Sequence, residues 1–496
     1  VNVGLLLEMA ADGGADRVAV GSRVDGLTYA TLLQRARALA GRLQAQGYER
    51  LGLVALNSEV LPLSLFGAGL AGIPFAPLNY RLPTEQLRAL AARLSPGLVV
   101  ADPDRVGDLQ GIEGIEVVST DELREMCLGE PAEDLPFVDA EDIAVLLFTS
   151  GTTGEPKAAV LRHRHLTSYI LGSVEFLGAD PDEAQLVCVP GYHIAGISSI
   201  LSSVFSGRRI VYLPAFEPEA WVRTAEAEEI TQAMVVPTML GRILQVMEAE
   251  GCSLDSLRNL SYGGGRMPLE TIERAMAALP KVSWVNAYGL TETSSTISIL
   301  GPDDHRAAAE SDDPAVRARL TSVGRPLPTI EVEIRDAEGK PVPVGETGEV
   351  HVRGDQVAGE YLGRSVLTDD GWFPTKDAGR LDEEGFLFLD GRLDDVIVRG
   401  AENLSPGEIE DCLLSHPAVA DAAVVGVPDQ EWGETVGAAI VLEPGQSATA
   451  EELQTWVKER LRSTKAPTVV QVRDELPYNE TGKLLRRVLR EELAGS

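Results

Sequence analysis

The chain reads as an α/β protein. It predicts a large N-terminal domain of helix-covered mixed and parallel sheets, a small β-rich subdomain, and a small α+β domain at the C-terminal end. Three observations predict this. The chain has 496 residues, more than one hydrophobic core usually spans, so two or more domains are expected. From Leu27 to about residue 300, helical patterns alternate with short β-rich runs, the signature of parallel sheets covered by helices. Beyond Ser311 the texture changes to strands and turns, and it changes again near Asp394. These changes divide the chain into 1–393 and 394–496, the first part having sheet-and-helix units to about 310 and a β-rich unit over about 320–393.

Each element has its own signal. Tyr29 to Gln46 repeats apolar residues at helical spacing, while Gly52 to Leu56, Gly97 to Ala101 and Arg209 to Leu213 are apolar runs of strand length. Leu61 to Leu78 is long and nearly all apolar, but Pro62, Pro74 and Pro77 interrupt it, so it predicts a buried helix and a strand rather than a membrane span. Ile143 to Phe148 predicts another buried strand. Ile330 to Arg335 and Gly348 to Arg353 read as strands, with a turn at Asp336 to Lys340. In the last domain Ser405 to Ser415 predicts a helix, with Ser405 as N-cap, Pro406 in the first turn and Glu408 at the capping-box position. Strands at Ala420 to Val427 and Val436 to Leu442 follow, then a helix at Ala450 to Arg462 and a basic one at Leu484 to Leu493.

The formal net charge is −33. A field of that sign repels phosphodiesters and acidic headgroups, which argues against nucleic acid and anionic membranes as partners. It also requires cations placed locally wherever an anionic substrate binds. Cys127, Cys188, Cys252 and Cys412 are scattered, form no CxxC pair and do not cluster with the six histidines, so disulfide frameworks and structural zinc are not expected. Val1 to Val20 has no basic start before an apolar stretch, and the cytoplasm is the expected compartment.

Two loops carry chemistry. Thr149-Ser150-Gly151-Thr152-Thr153-Gly154-Glu155-Pro156-Lys157 follows the strand Ile143 to Phe148 and packs two glycines, four hydroxyls and a lysine into nine residues. Such a loop can aim backbone N–H groups and hydroxyls at an anion. It fails the ordinary P-loop template, because Lys157 is followed by Ala158-Ala159 and no Ser or Thr stands where magnesium would be held. Pro477-Tyr478-Asn479-Glu480-Thr481-Gly482-Lys483 puts a second lysine after a glycine, more than three hundred residues away.

Read with its neighbours, the first loop resembles the signature of the adenylate-forming superfamily, which includes acyl-CoA synthetases, peptide-synthetase adenylation domains and firefly-type luciferases. The resemblance continues in order through Tyr192-His193-Ile194-Ala195-Gly196, Gly263-Gly264-Gly265, Tyr288-Gly289-Leu290-Thr291-Glu292, Gly348-Glu349-Val350, Asp377, Gly391-Arg392-Leu393-Asp394-Asp395 and Thr481-Gly482-Lys483, and so covers nearly the whole chain.

The resemblance implies ATP-dependent activation of a carboxylic acid to an acyl-adenylate with release of pyrophosphate, then thioester formation with CoA and release of AMP. ATP, Mg²⁺ and CoA are the implied cofactors. Thr149, Ser150, Gly151, Thr152, Thr153, Gly154 and Lys157 are implied to hold the triphosphate, and Gly264, Gly265, Asn286, Ala287, Tyr288 and Gly289 to surround adenine. Thr291 is implied to donate to a phosphate oxygen, and Glu292 is the hard oxygen ligand that Mg²⁺ prefers beside phosphates. Asp377 resembles the residue that accepts both ribose hydroxyls, and Arg392 the one that reaches ribose and phosphate. Lys483 would stabilise the charge that builds up as a carboxylate meets the α-phosphate, and with Thr291, Glu292 and His193 it forms the expected catalytic set. Asp394 is the implied hinge of a mobile C-terminal domain, which withdraws Lys483 and presents Arg399, Gly400, Ala401 and Glu402 to CoA.

The acyl pocket is expected from His193, Val236, Gly263, Gly265, Gly289 and Thr293, mostly small or apolar. His193 stands where peptide-synthetase domains carry an aspartate for the substrate ammonium, so a free amino acid is not the expected substrate. A fatty acid is expected first and an aryl acid second. Transfer to an acyl-carrier protein instead of CoA is the alternative, and a non-catalytic acyl or nucleotide sensor is the alternative of another class. A second copy of the chain, as a homodimer, is a candidate partner. Four residues depart from the pattern. Lys376 replaces glycine before the ribose aspartate, where a left-handed backbone would be strained. Ala158-Ala159 replace Gly-Val, and Arg266 reads as a surface residue or as a partner for a second carboxylate.

Overall fold

The computed structural model describes residues 1–149, 156–399, 402–429, 432–479 and 484–494. Local chemistry sets its elements. In helix Tyr29–Gln46 the Thr28 hydroxyl accepts the Thr31 N–H at the start, and Gly47, at φ +70°, closes the end by donating to Gln44 and Leu43 carbonyls. Leu32, Ala36, Leu39, Ala40 and Leu43 form its buried face. Helix Val60–Ala71 is buried on every side and stops at Gly72, φ +71°, before strand Phe75–Pro77. The long apolar stretch is therefore a core helix and a strand. Among the described residues no helix is long and apolar enough to cross a membrane.

Two large mixed sheets build the first domain. One has eight strands, parallel from Ile143–Thr149 through Phe75–Pro77, Arg50–Val54 and Gly97–Ala101 to Ile115–Ser119. On its other side Lys157–Arg162, Glu360–Tyr361 and Arg364–Ser365 add antiparallel strands. The second has nine strands, parallel from Ser283–Leu290 through Asn259–Gly263, Gln232–Val235, Ala184–Val187 and Arg209–Tyr212 to Val18–Val20, with antiparallel strands at both edges. Helices Val3–Gly14, Tyr29–Gln46, Val60–Ala71 and Ile194–Ser206 fill one core that also holds Ile210 of one sheet and Leu51 and Val145 of the other. This helical layer ties the two sheets together.

The β-rich part is a four-stranded antiparallel sheet of Glu331–Arg335, Gly348–Arg353, Phe373–Leu381 and Leu387–Arg392. The last part has a five-stranded sheet in which Val469–Arg473 runs parallel to Gly433–Leu442, over a core including Ile409, Val424, Ile440 and Leu453. Its first helix, Pro406–Leu414, lacks the expected capping box. Ser405 Oγ instead donates to the Asp390 carbonyl of the neighbouring sheet at 2.8 Å, and the Lys465 ammonium draws Glu408 away at 2.5 Å. The next helix, Ala450–Arg460, does carry a capping box, from Thr449 and Glu452. The final helix is Arg486–Ala494, because Leu484 pairs back with Tyr478 instead of joining it.

Candidate functional site

The antiparallel register of the small sheet sets Asp377 opposite Arg392. Arg392 Nε lies 3.0 Å from Asp377 Oδ1, and its Nη1 donates to the Thr375 carbonyl at 2.7 Å. Tyr288, near the end of strand Ser283–Leu290, donates its hydroxyl to Asp377 Oδ2 at 2.5 Å. Burial first, and then the Asp377 charge, hold the Tyr288 phenol well above its ordinary pKa, so it remains a donor. Lys376 has φ +66°, and Glu349 Oε1 accepts its N–H at 3.1 Å. The left-handed turn expected of a glycine is therefore present with a lysine in it.

Immediately after Tyr288, residues Thr291–Thr293 make a 3₁₀ turn. The Glu292 carbonyl accepts N–H groups of Ala358 and Gly359 at 2.9 and 3.1 Å, and its Oε1 accepts the Tyr361 hydroxyl at 2.5 Å. Tyr361 pairs with Ala159 across the sheet edge. Lys157, two residues earlier, shares that face, and its Nζ lies 5.8 Å from the Tyr361 ring centroid. Thr149 pairs with Lys157 in register, so the hydroxyl-rich loop starts and ends here. Ser150, Gly151, Thr152, Thr153 and Gly154 lie outside the described residues. The charge of Arg392 opposes the upward shift of both the Tyr288 and the Tyr361 phenols, so the two groups share one electrostatic neighbourhood. Glu292 offers the hard carboxylate oxygen that Mg²⁺ takes beside phosphates.

His193 begins helix Ile194–Ser206, with its ring 4.5 Å from that of Tyr192. Its Nε2 is buried without a partner among the described residues, and burial pushes its pKa down to about 4, so the imidazole is neutral at pH 7. Gly263 pairs with Ala287, and a Cβ at Gly263 would lie 2.3 Å from the Ala287 carbonyl oxygen. A Cβ at Gly289 would lie 1.8 Å from the Ser295 carbonyl oxygen, so only glycine lets these strands approach. Positions for a Cβ at Gly264 and Gly265 lie 3.5 Å from Val236 and 3.7 Å from Pro237. The Asn286 amide is buried and donates to the Ser322 carbonyl at 2.9 Å. Thr293 is wholly buried, and its hydroxyl accepts the Leu290 N–H at 2.9 Å and donates to the Ser295 carbonyl at 2.8 Å, which fastens the turn. Ser294 and Ser295 both have positive φ, +55° and +107°, and the Ser295 hydroxyl donates to Ser198 Oγ at 3.1 Å.

Asp394 is exposed in the turn Leu393–Asp395, which follows the last strand of the four-stranded sheet, Leu387–Arg392. Beyond it, Arg399 donates to the Thr464 carbonyl at 2.5 Å and lies over the Trp432 ring, and Glu402 pairs with Arg399 through the backbone. Gly400, Ala401 and Lys483 lie outside the described residues. The chain is anchored on both sides of Lys483. Tyr478 donates to Asp421 Oδ2 at 2.9 Å, and Arg486 donates to both Glu410 oxygens at 2.6 and 3.0 Å. Arg266 is neither a free surface residue nor aimed at a substrate: it forms an ion pair with Asp411 of the C-terminal domain. Tyr361, Ser295 and Asp411 carry no recognisable sequence signal. Tyr361 sits in a two-residue strand, too short for any periodicity.

Residues 7–362 match the AMP-binding enzyme family, and residues 408–483 match the AMP-binding enzyme C-terminal domain. A feruloyl-CoA synthase of an Amycolatopsis species is 32% identical over 94% of this chain and 93% of its own. The o-succinylbenzoate CoA synthetase (MenE) from Bacillus subtilis, in complex with its acyl-adenylate intermediate, superposes with a TM-score of 0.85 at 29% identity, covering 98% of this chain and 97% of that one. The same enzyme in complex with ATP and magnesium ion gives 0.83 at 30% identity, covering 97% and 98%. Likeness of this extent spans both parts of the fold and the strands that carry the site, and the chain belongs to the AMP-binding enzymes of the adenylate-forming superfamily.

Proposed function

We propose that this chain is an AMP-forming acid–CoA ligase that activates a compact aryl acid with ATP, Mg²⁺ and CoA. The observation that carries the nucleotide half is the Tyr288–Asp377–Arg392 arrangement next to Glu292 and Lys157. Asp377 Oδ1 pairs with Arg392 and Oδ2 accepts from Tyr288, and a carboxylate oxygen with its two lone pairs can accept a ribose hydroxyl as well, while the Tyr288 ring offers a face to adenine. Lys157 and the loop 149–157 meet the β- and γ-phosphates in an otherwise acidic protein. Mg²⁺, when bound, neutralises triphosphate charge, and Glu292 is the residue that would hold it. A carboxylate oxygen of the acid attacks the α-phosphorus, the bond to the β-phosphate oxygen breaks, and pyrophosphate leaves with the electron pair. Lys483 stabilises the α-phosphate in that step. The CoA thiolate then attacks the acyl carbonyl, and AMP leaves with the bonding pair.

The class of acid follows the relatives. The acids named in two of them, feruloyl and o-succinylbenzoate, each carry one aromatic ring, so the aryl acid takes precedence over the fatty acid. Thioester formation across benzoates, cinnamates and C4 to C16 fatty acids tests this. The highest kcat/KM is expected for a one-ring acid, with a fall of about tenfold or more for long chains, in line with the few kcal/mol that pocket misfit costs. A maximum at C12 or beyond overturns the aryl assignment. Acid-dependent pyrophosphate release with no CoA thioester would identify a carrier protein as the acceptor.

A further inference from the structure

One oxygen of the Glu292 carboxylate already has a partner. Tyr361 donates its hydroxyl to Oε1 at 2.5 Å, while Ala358 and Gly359 donate N–H groups to the Glu292 carbonyl at 2.9 and 3.1 Å. All three donors come from one short stretch, which grips the glutamate by backbone and side chain together. That stretch is itself fastened to the sheet. Tyr361 lies opposite Ala159, the Leu362 N–H donates to the Ala158 carbonyl at 2.9 Å, and Arg162 holds both Glu360 oxygens at 2.9 and 2.7 Å. These contacts fix the backbone that carries the ring. Its face also carries the Lys157 ammonium, 5.8 Å from the centroid, so a single phenol touches the acid and the base of the phosphate side.

We infer that Tyr361 is a positioning residue for metal and triphosphate binding: its hydrogen bond to Glu292 Oε1 orients the carboxylate so that Oε2 is presented to the cation, and its ring lies alongside Lys157. The inference rests on Glu292 being the Mg²⁺ ligand, as proposed above. A carboxylate fixed in advance loses little freedom when the ion arrives, and loss of such outer partners typically weakens metal binding by about tenfold to a hundredfold. Tyr361 touches neither reacting atom, so its loss shows in affinity before it shows in turnover.

Tyr361→Phe removes one oxygen and keeps the ring. Mn²⁺ binding is followed by electron paramagnetic resonance in the presence of a non-hydrolysable ATP analogue, for the wild type, Tyr361→Phe and Glu292→Gln. Tyr361→Phe is expected to bind Mn²⁺ about tenfold or more weakly, and to raise the KM for ATP more than it lowers kcat. Thioester formation from a preformed acyl-adenylate, which involves no triphosphate, is expected to be unchanged. If Glu292→Gln binds Mn²⁺ as tightly as the wild type, the ligand reading fails and this inference fails with it. If Glu292→Gln is weakened while Tyr361→Phe stays within about twofold of the wild type, the role of Tyr361 alone is overturned.

Discussion

Lys376 sits in a backbone region that a residue with a Cβ enters at a cost, and it does so beside the residue proposed to hold the ribose. Its N–H is fixed by Glu349 and its ammonium lies 3.8 Å from the same carboxylate, but that side chain is 64% exposed, so the ion pair adds little. Lys376→Gly should therefore stabilise the protein by about 1 kcal/mol, the usual relief of a left-handed conformation, with the KM for ATP unchanged. Urea denaturation and steady-state kinetics check this, and a clear loss of stability would show that the lysine itself holds the turn. At this scale the sequence was most legible where a motif fixes backbone and chemistry together. Tyr288, Glu292, Asp377 and Arg392 stand in one electrostatic neighbourhood because two register pairings and one turn put them there. Tyr361 was not legible, because its partner Glu292 lies 69 residues away and its strand has only two residues.

The helix Pro406–Leu414 shows what element-level patterns miss. Its length is close to the expected one, but its N-cap serine and its first-turn glutamate are engaged by residues 15 and 57 positions away, so local capping gives way to tertiary contacts. The same helix carries Asp411, which meets Arg266 of the first domain. Burial pushes the Asp411 carboxyl up to about 6, with Arg266 opposing and Glu410 and Glu408 adding to the rise. The sign follows from linkage. The folded state holds this proton more tightly than the unfolded chain, whose carboxyl ionises near 3.8, so its contribution to stability is greatest below about pH 4 and declines as pH rises through about 6. Asp411→Asn should remove that decline, worth on the order of 1 kcal/mol once partial exposure is discounted. Arg266→Ala should deepen it, since the buried carboxylate loses its counter-charge. Stability curves from pH 4 to 7 for the three proteins test this, and parallel curves would contradict it.

For the whole molecule, the alternation of helices and short strands predicted helix-covered mixed and parallel sheets, and the change of texture near Ser311 predicted a small β-rich unit, which is the antiparallel sheet that carries Asp377 and Arg392. What the pattern could not give is which strand ends meet, because that depends on sheet order, and neighbours such as Lys157–Arg162 and Glu360–Tyr361 are two hundred residues apart in the chain. The acidic surface makes the same point in electrostatic terms: with a net charge of −33, a triphosphate site depends on a few cations brought together by folding. Lys157 enters from the first domain, and Lys483 belongs to the second, beyond the turn at Asp394. The central claim, two chemical steps served by one site with a lysine needed only in the first, is tested most directly by comparing the half-reactions of the wild type and Lys483→Ala. Exchange of radiolabelled pyrophosphate into ATP, dependent on an aryl acid and independent of CoA, should fall by about a hundredfold to a thousandfold in the variant, while thioester formation from a synthetic acyl-adenylate persists. Equal loss of both half-reactions, or exchange in the wild type without any acid, would contradict the account.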